Sequence, residues 1–312
     1  MKPLVSVVIP AFGRPASLAA AVRSAAAQRD LAPESLEIVV VDDASPAPVR
    51  LPEDVRSARL VRLERNGGAA VARNAGIAAS AGRFVAFLDS DDVWLPDKLA
   101  RQVAWAEALS ADGPGFGPVA IGCSFYMPDR RSQVLELRRP VDAANTTDFA
   151  GGCWMCPGST LLVERSVFES VGVLDGRLRR LEDYEWLLRF AGAGGRFVAA
   201  PVAGAVIAPS TDAKLAPVEA AVSHVRGLLE ADPRLRLPPA ARRRAESYLA
   251  LELTAANLGV GRRAAAAAHL VRSLALWPRL TGSTGRFWQR SRDVPTEVER
   301  VYRDLVALAE AK

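Results

Sequence analysis

The chain is predicted to fold as an α/β domain whose mostly parallel sheet is covered by helices, and three observations carry that expectation. Short β-branched runs end in polar turns, Ala-rich helical segments separate those runs, and carboxylates collect where the runs stop. Leu4-Val5-Ser6-Val7-Val8-Ile9-Pro10 reads as a first buried strand, short and cut by a proline rather than drawn out like a signal segment. A helix follows from Ser17 to Gln28, with Leu18, Val22 and Ala25 on one side. Glu37-Ile38-Val39-Val40-Val41 is the second strand, ended by Asp42-Asp43-Ala44-Ser45-Pro46, and a third spans Arg59 to Leu63. The next helix begins near Gly68 and runs to about Ser80, before a strand from Arg83 to Leu88. Strand and helix alternating at this interval are the pattern of parallel crossover units.

Further along, a helix is expected from Pro96 to about Leu109, then a Gly/Pro break over residues 113–118 and a strand from Val119 to Phe125. Pro128 to Met155 shows no sustained periodicity and reads as an irregular loop. Ser159 to Val163 reads as a strand, and Phe168 to Leu174 as a helix running into a turn. Trp186, Leu187, Leu188 and Phe190 form an apolar helix face stopped by Gly192 and Gly194-Gly195, and Phe197 to Ile207 reads as an edge strand or hairpin. From Ala213 onward the pattern is mainly helical, so residues 1–210 are taken as the principal domain and residues 211–312 as a helical C-terminal extension.

With 312 residues, half of them hydrophobic and 24% charged, the chain can bury a substantial core. Its net charge of +5 comes largely from arginine in an Ala/Arg-rich composition and does not point to nucleic acid. Cys123, Cys153 and Cys156 make an odd set, which argues against a disulfide scaffold and fits a reducing cytoplasm. The C-x-x-C pair is half of a zinc site at best, so these read mainly as packed thiols. No charge-free stretch is long enough to cross a membrane. Arg242-Arg243-Arg244, Trp277-Pro278-Arg279-Leu280 and Trp288 suit either an anionic lipid surface or an ordinary helix face with packed aromatics.

The acidic cluster Asp89-Ser90-Asp91-Asp92 closes the apolar run Phe84-Val85-Ala86-Phe87-Leu88. Carboxylates crowded at a strand end repel one another and lose hydration, and a divalent cation offsets both. Open α/β sheets bind ligands at that carboxyl edge. Two readings stand, because Asp and Ser also make turns and helix caps, and Leu95-Pro96-Asp97 resembles a helix start. Asp42-Asp43 opens into the same cleft if its strand is a neighbour; such a carboxylate can accept a base imide hydrogen or simply close a turn. Gly67-Gly68 and Arg73-Asn74-Ala75-Gly76 offer close backbone approach and a guanidinium to phosphate oxygens, without a P-loop or Rossmann signature. Glu182-Asp183 precedes the Trp186 helix, where a carboxylate serves either as a general base or as a helix cap. A serine hydrolase is disfavoured, since no G-x-S-x-G elbow exists and only two histidines are present.

Taken together these motifs resemble the family-two glycosyltransferases of GT-A fold, which are inverting, nucleotide-sugar-dependent enzymes. The resemblance rests on Val5 to Phe12, Ile38 to Ser45, Asn66-Gly67-Gly68 through Gly76, Phe87 to Asp92 with Trp94 to Leu99, and Glu182 to Arg189. It implies a GT-A Rossmann-like sheet over residues 1–210. It also implies that Pro10 and Ala11 line the base and ribose pocket, with Asp43 near the base and Arg73 near the base or phosphates. Asp89 and Asp91 match the D-x-D pattern; Asp91 is the first choice for a manganese or magnesium ion, with Asp92 close enough to share it. Asp183 matches the general base, and Trp154, Cys156, Glu182 and Trp186 fall on the acceptor side. Ala44 departs from the Gly or Asn that the family often places there.

The implied donor is a nucleoside-diphosphate sugar, UDP-sugar before dTDP-sugar, and the acceptor a hydroxyl of a glycan, glycolipid or small molecule in polysaccharide biosynthesis. No nucleic-acid partner is expected. A cytoplasmic setting is, with peripheral contact at the inner face of the membrane and a homodimer through the Ala-rich helices left open. A nucleotidyltransferase and a non-catalytic nucleotide- or carbohydrate-binding protein are the alternatives.

Overall fold

The computed structural model describes residues 2–111, 117–129, 132–209, 214–278 and 287–310. Residues 113–116 of the Gly/Pro break expected over 113–118, together with Arg279 and Leu280, fall outside the described residues. The amino-terminal third follows the predicted alternation. β1 (Val5–Ala11), β2 (Leu36–Asp42), β3 (Ala58–Arg62) and β4 (Phe84–Phe87) lie parallel in the order β3-β2-β1-β4, and α1 (Pro15–Ala26) and α2 (Ala69–Ala79) connect them. Successive side chains of β1 point to opposite faces, so Val5, Val7 and Ile9 join Leu18 and Val22 of α1 while Val8 joins Ile77 of α2. All of them are buried, each contributing on the order of 1.5–3 kcal/mol of transfer free energy.

Beyond β4 the sheet departs from the expectation. β5 (Val93–Trp94) and α3 (Lys98–Ala111) lead to β6 (Val119–Pro128) and β7 (Leu135–Pro140). The short helices α4 (Thr146–Phe149) and α5 (Pro157–Thr160) precede β8 (Leu162–Glu164) and α6 (Arg165–Ser170). α7 (Glu182–Gly192) and β9 (Arg196–Val206) follow. β8 lies antiparallel between β4 and β6, β7 is antiparallel to β6, and β9 runs parallel to β6 while holding β5 antiparallel. The sheet is therefore mixed, not mostly parallel. Parallel neighbours need a crossover of a dozen residues or more. β6 instead turns straight back into β7, with the Asp129 amide donating to the Val134 carbonyl at 2.8 Å.

Residues 128–155, expected to be irregular, thus supply β7 and α4. The strand expected over 159–163 begins as the helical turn α5. The predicted edge strand or hairpin at 197–207 is one strand paired on both sides, because β6 and β5 flank it.

The remaining elements are α8 (Leu215–Ala231), α9 (Pro239–Gly259), α10 (Arg263–Leu276), β10 (Trp288–Ser291) and α11 (Thr296–Glu310). Val218, Val222 and Val225 of α8 and Leu249 of α9 share a core with Tyr184 and Leu188 of α7. β10 pairs antiparallel with β7, and Val298 and Leu305 of α11 pack with Tyr126, Leu135 and Leu137. Two of the three consecutive arginines turn inward: Arg242 donates to the Leu229 carbonyl at 2.5 Å and Arg244 to the Thr147 carbonyl at 2.6 Å. Among the described residues no helix is long and apolar enough to cross a membrane.

Candidate active site

The parallel half of the sheet brings the acidic turns to one edge. Ala11 stands opposite Asp42 and Val8 opposite Phe87, so β1, β2 and β4 all end at this edge. The Asp43 amide donates to the Ala11 carbonyl at 2.9 Å, which puts the ends of β1 and β2 side by side. Pro10 and Ala11 occupy the end of β1, Ala11 being buried.

Arg73 of α2 is the hub of the acidic side chains at this edge. Its side chain is 3% exposed, and one terminal nitrogen donates to Asp89 at 2.7 Å while the other reaches Glu182 at 3.1 Å and Asp183 at 3.3 Å. These carboxylates raise its pKa against the opposing effect of burial, so it is a fixed cation. Two acidic stations far apart in sequence are thereby joined by one buried guanidinium. Asn74, the next residue, makes the matching backbone clasp: it donates to the Leu174 carbonyl at 2.8 Å and accepts from the Leu174 amide at 3.1 Å. That clasp ties α2 to the segment leading into α7.

Asp183 lies in the first turn of α7, where the helix dipole favours a carboxylate. Burial nevertheless pushes its pKa up to about 7, with Arg73 pulling it down and Glu182 and Asp89 adding to the rise. Inside the same helix Arg189 grips Glu185 at 2.6 Å and donates to the carbonyls of Val171 and Val173, so α7 is anchored while its amino end meets the cleft.

In the loop after β4 the three aspartates diverge. Asp89 takes Arg73, Asp91 pairs with Arg14, and Asp92 is 5% exposed and turned inward. Asp92 accepts from the Ser159 hydroxyl at 2.5 Å and from the Ala208 amide at 2.8 Å; burial first, and the Asp89 charge second, push its pKa up to about 7. Ser159 also accepts from the Asp89 amide at 3.1 Å, and Trp94 donates to the Ser159 carbonyl at 2.7 Å, which pins α5 beneath the acidic loop. Cys156 caps α5 in a left-handed conformation with φ of 51°, and burial, with Asp92 adding to it, pushes its thiol pKa up. A Cβ on Gly158 would stand 2.3 Å from an Asp89 oxygen and 2.8 Å from Arg73, so that position must stay bare for the ion pair to form.

Asp43, expected beside the base, accepts from the Gly67 amide at 2.6 Å, the Gly68 amide at 2.7 Å and the Asn66 side chain at 2.9 Å. Three of its roughly four acceptor positions are thus filled by the turn before α2. Ala44 beside it has φ of 57°, the region that Gly and Asn enter at lower cost than Ala, which gives the usual residues at this position a physical reason.

Trp154 and Trp186, expected on the acceptor side, belong to the core. Each is 3% exposed; Trp154 stacks on Phe287 at 4.8 Å and Trp186 on Phe190 at 5.2 Å. Their indole N–H groups donate to the Val141 and Gly172 carbonyls, as buried tryptophans require. Glu182, by contrast, is at the cleft with Asp183. Sequence reasoning missed Arg14 as a partner of Asp91 and Ser159 as the clamp on Asp92. The signal for Arg14 was its place three residues past the end of β1.

Among the described residues no three His, Cys, Asp or Glu side chains converge on a common metal position. The two carboxylates at the rim, Asp89 and Asp91, are hard oxygen donors of the kind that hold magnesium or manganese jointly with substrate phosphates. That donor set fits such a cation. All three cysteines are free, and none adds a sulfur ligand to a cage.

Comparison with known proteins bears on the family and the fold. The succinoglycan biosynthesis protein ExoO of Rhizobium meliloti (strain 1021) is 43% identical over 113 residues, which cover 35% of this chain and 31% of ExoO. The Escherichia coli protein WfaP, a UDP-Glc:alpha-D-GlcNAc-diphosphoundecaprenol beta-1,3-glucosyltransferase, is 34% identical over 107 residues, 33% of this chain and 41% of WfaP. The chain thus spans less than half the length of either relative. The mannosyltransferase PcManGT of Pyrobaculum calidifontis, solved with GDP-Man and Mn2+, shares the fold: it aligns with a TM-score of 0.56 at 20% identity, covering 99% of this chain and 86% of that one. The family model "Glycosyl transferase family 2" matches residues 6–172, more than half of the 312, and on that match the chain belongs to this glycosyltransferase family.

Proposed function

We propose that the chain is a GT-A-type inverting glycosyltransferase that moves a sugar from a nucleoside diphosphate to an acceptor hydroxyl, residues 1–210 forming the transferase domain. The observation that carries this reading is the Asp89–Arg73–Asp183 bridge, in which one buried guanidinium holds a carboxylate of the loop after β4 and a carboxylate of the first turn of α7. UDP-sugar is the donor and a glycan or lipid-linked saccharide the acceptor. The names of WfaP and ExoO support that choice, one stating a UDP-Glc donor and a diphosphoundecaprenol acceptor, the other a polysaccharide pathway.

Asp183 takes the proton of the acceptor hydroxyl as that oxygen attacks the anomeric carbon; a carboxylate whose pKa burial raises to about 7 is a far better base than an ordinary one. Attack from the face opposite the leaving diphosphate inverts the anomeric centre in one displacement. Arg73 holds Asp89 and Asp183 at a fixed separation and offsets part of the negative charge that a diphosphate meets on entry. Asp92 and Ser159 keep the loop carrying Asp91 in place. A manganese or magnesium ion held by Asp91, with Asp89 beside it, would supply charge neutralisation to the departing diphosphate.

Purified protein with Mn2+ and UDP-sugars is expected to release UDP and transfer sugar, without the pyrophosphate of a nucleotidyltransferase. Asp183→Asn should lower turnover by roughly 10²–10⁴-fold with donor affinity retained, and Asp91→Ala should weaken both donor binding and turnover. Wild-type turnover in both variants would sink the proposal.

A further inference from the structure

We propose that Arg14 changes partner during donor binding: it neutralises Asp91 while the cleft is empty and turns to the donor's diphosphate once a divalent cation takes that carboxylate. The inference rests on the proposed nucleotide-sugar function and assigns Arg14 a role that the function does not itself require.

The two cleft arginines are held differently. Arg73 is locked by three carboxylates and is 3% exposed, whereas Arg14 has one carboxylate partner, and that pair borders solvent with side-chain exposures of 38% and 31%. Ion pairs of the second kind are weak and exchange partners readily. The backbone beneath Arg14 is fixed: the Gly13 amide donates to the Ser45 hydroxyl at 3.0 Å, and α1 begins at Pro15 directly afterwards. Any movement therefore belongs to the long side chain, pivoting at the edge of the sheet where β1, β2 and β4 end.

Charge balance gives the movement its direction. Asp89, Asp91, Asp92, Glu182 and Asp183 face Arg14 and Arg73, with Arg180 acting on Asp183 from further off. A diphosphate brought to this surface meets excess negative charge. A cation on Asp91 reverses that locally and releases a guanidinium whose planar fork matches phosphate oxygens. Cation and diphosphate then each favour the binding of the other, by the same factor in both directions.

The test measures binding rather than turnover, with Mn2+ and UDP as probes. Mn2+ alone is titrated by its electron paramagnetic resonance signal, and UDP is titrated calorimetrically at saturating Mn2+, in wild type, Arg14→Ala and Arg14→Lys. Arg14→Ala is expected to bind Mn2+ alone about tenfold more tightly, because its competitor is gone, and to bind UDP about tenfold more weakly. Arg14→Lys keeps a charge on Asp91 but loses the fork, so Mn2+ affinity stays near wild type while UDP affinity falls. A misfolded variant would lose both ligands and cannot mimic tighter Mn2+ binding. Wild type binding both probes, with Arg14→Ala unchanged or weaker for Mn2+ or unchanged for UDP, overturns the role of Arg14 alone. Wild type binding neither probe overturns the proposed function and this role with it.

Discussion

Asp183 carries the sharpest chemical consequence at the scale of single residues. Its side chain is 24% exposed and lies beside Arg73, yet burial dominates and pushes its pKa up to about 7. A general base works only when deprotonated, so kcat/KM for sugar transfer should rise as pH climbs through about 7 and level off above it. The sign for stability is the reverse of the usual carboxylate case. The folded pKa lies above the unfolded value of about 3.9, so the native state binds the extra proton and stability from this group is lost between roughly pH 4 and 7. Activity and stability should therefore move oppositely across that window. A pH–rate profile of wild type alongside thermal unfolding at the same pH values checks it; a rate falling between pH 6 and 8 would remove Asp183 from the base role.

At the scale of elements, α2 shows how close packing sets the site. A Cβ on Gly76 would lie 2.2 Å from a Val8 methyl and 3.2 Å from Val41, so α2 rests directly on β1 and β2. In a free helix Gly→Ala gains about 1 kcal/mol. Here the overpacking penalty, typically about 1–3 kcal/mol, outweighs that gain. Gly76→Ala should consequently lower Tm, and by lifting Arg73 it should weaken UDP binding as well; a raised Tm with unchanged UDP affinity would refute the argument. The sequence made this region legible because Gly67-Gly68, Arg73 and Gly76 each constrain the backbone or the charge at a readable spacing. What it did not make legible was Arg73 meeting Asp183 in the folded chain. Nor did motif proximity separate Trp186 from the cleft, although its i,i+4 spacing to Phe190 marks the inward face of α7.

For the whole molecule, the parallel half of the sheet was readable and the antiparallel half was not, for a topological reason. βαβ units announce themselves by regular alternation, whereas β10 is a short strand whose pairing with β7 depends on a partner remote in the chain. β10 is Trp288-Gln289-Arg290-Ser291, without an apolar alternation, and its place is fixed by contacts that reach back to the core. Trp288 donates to the Trp154 carbonyl at 2.6 Å, and Arg292 reaches the nearly buried Glu136 of β7 at 3.3 Å. The segment proposed as an extension therefore closes one edge of the sheet that builds the cleft. Shortening the chain to residues 1–278 would strip β10 from β7 and α11 from Tyr126, Leu135 and Leu137. A bare strand edge beside uncovered apolar side chains promotes association with other chains. The shortened protein should unfold at lower temperature and scatter light increasingly with concentration, while the full chain does not. Full solubility at an unchanged Tm would show instead that residues 1–278 fold and pack without this closure, and that β10 and α11 are appended to the sheet rather than part of what stabilises it.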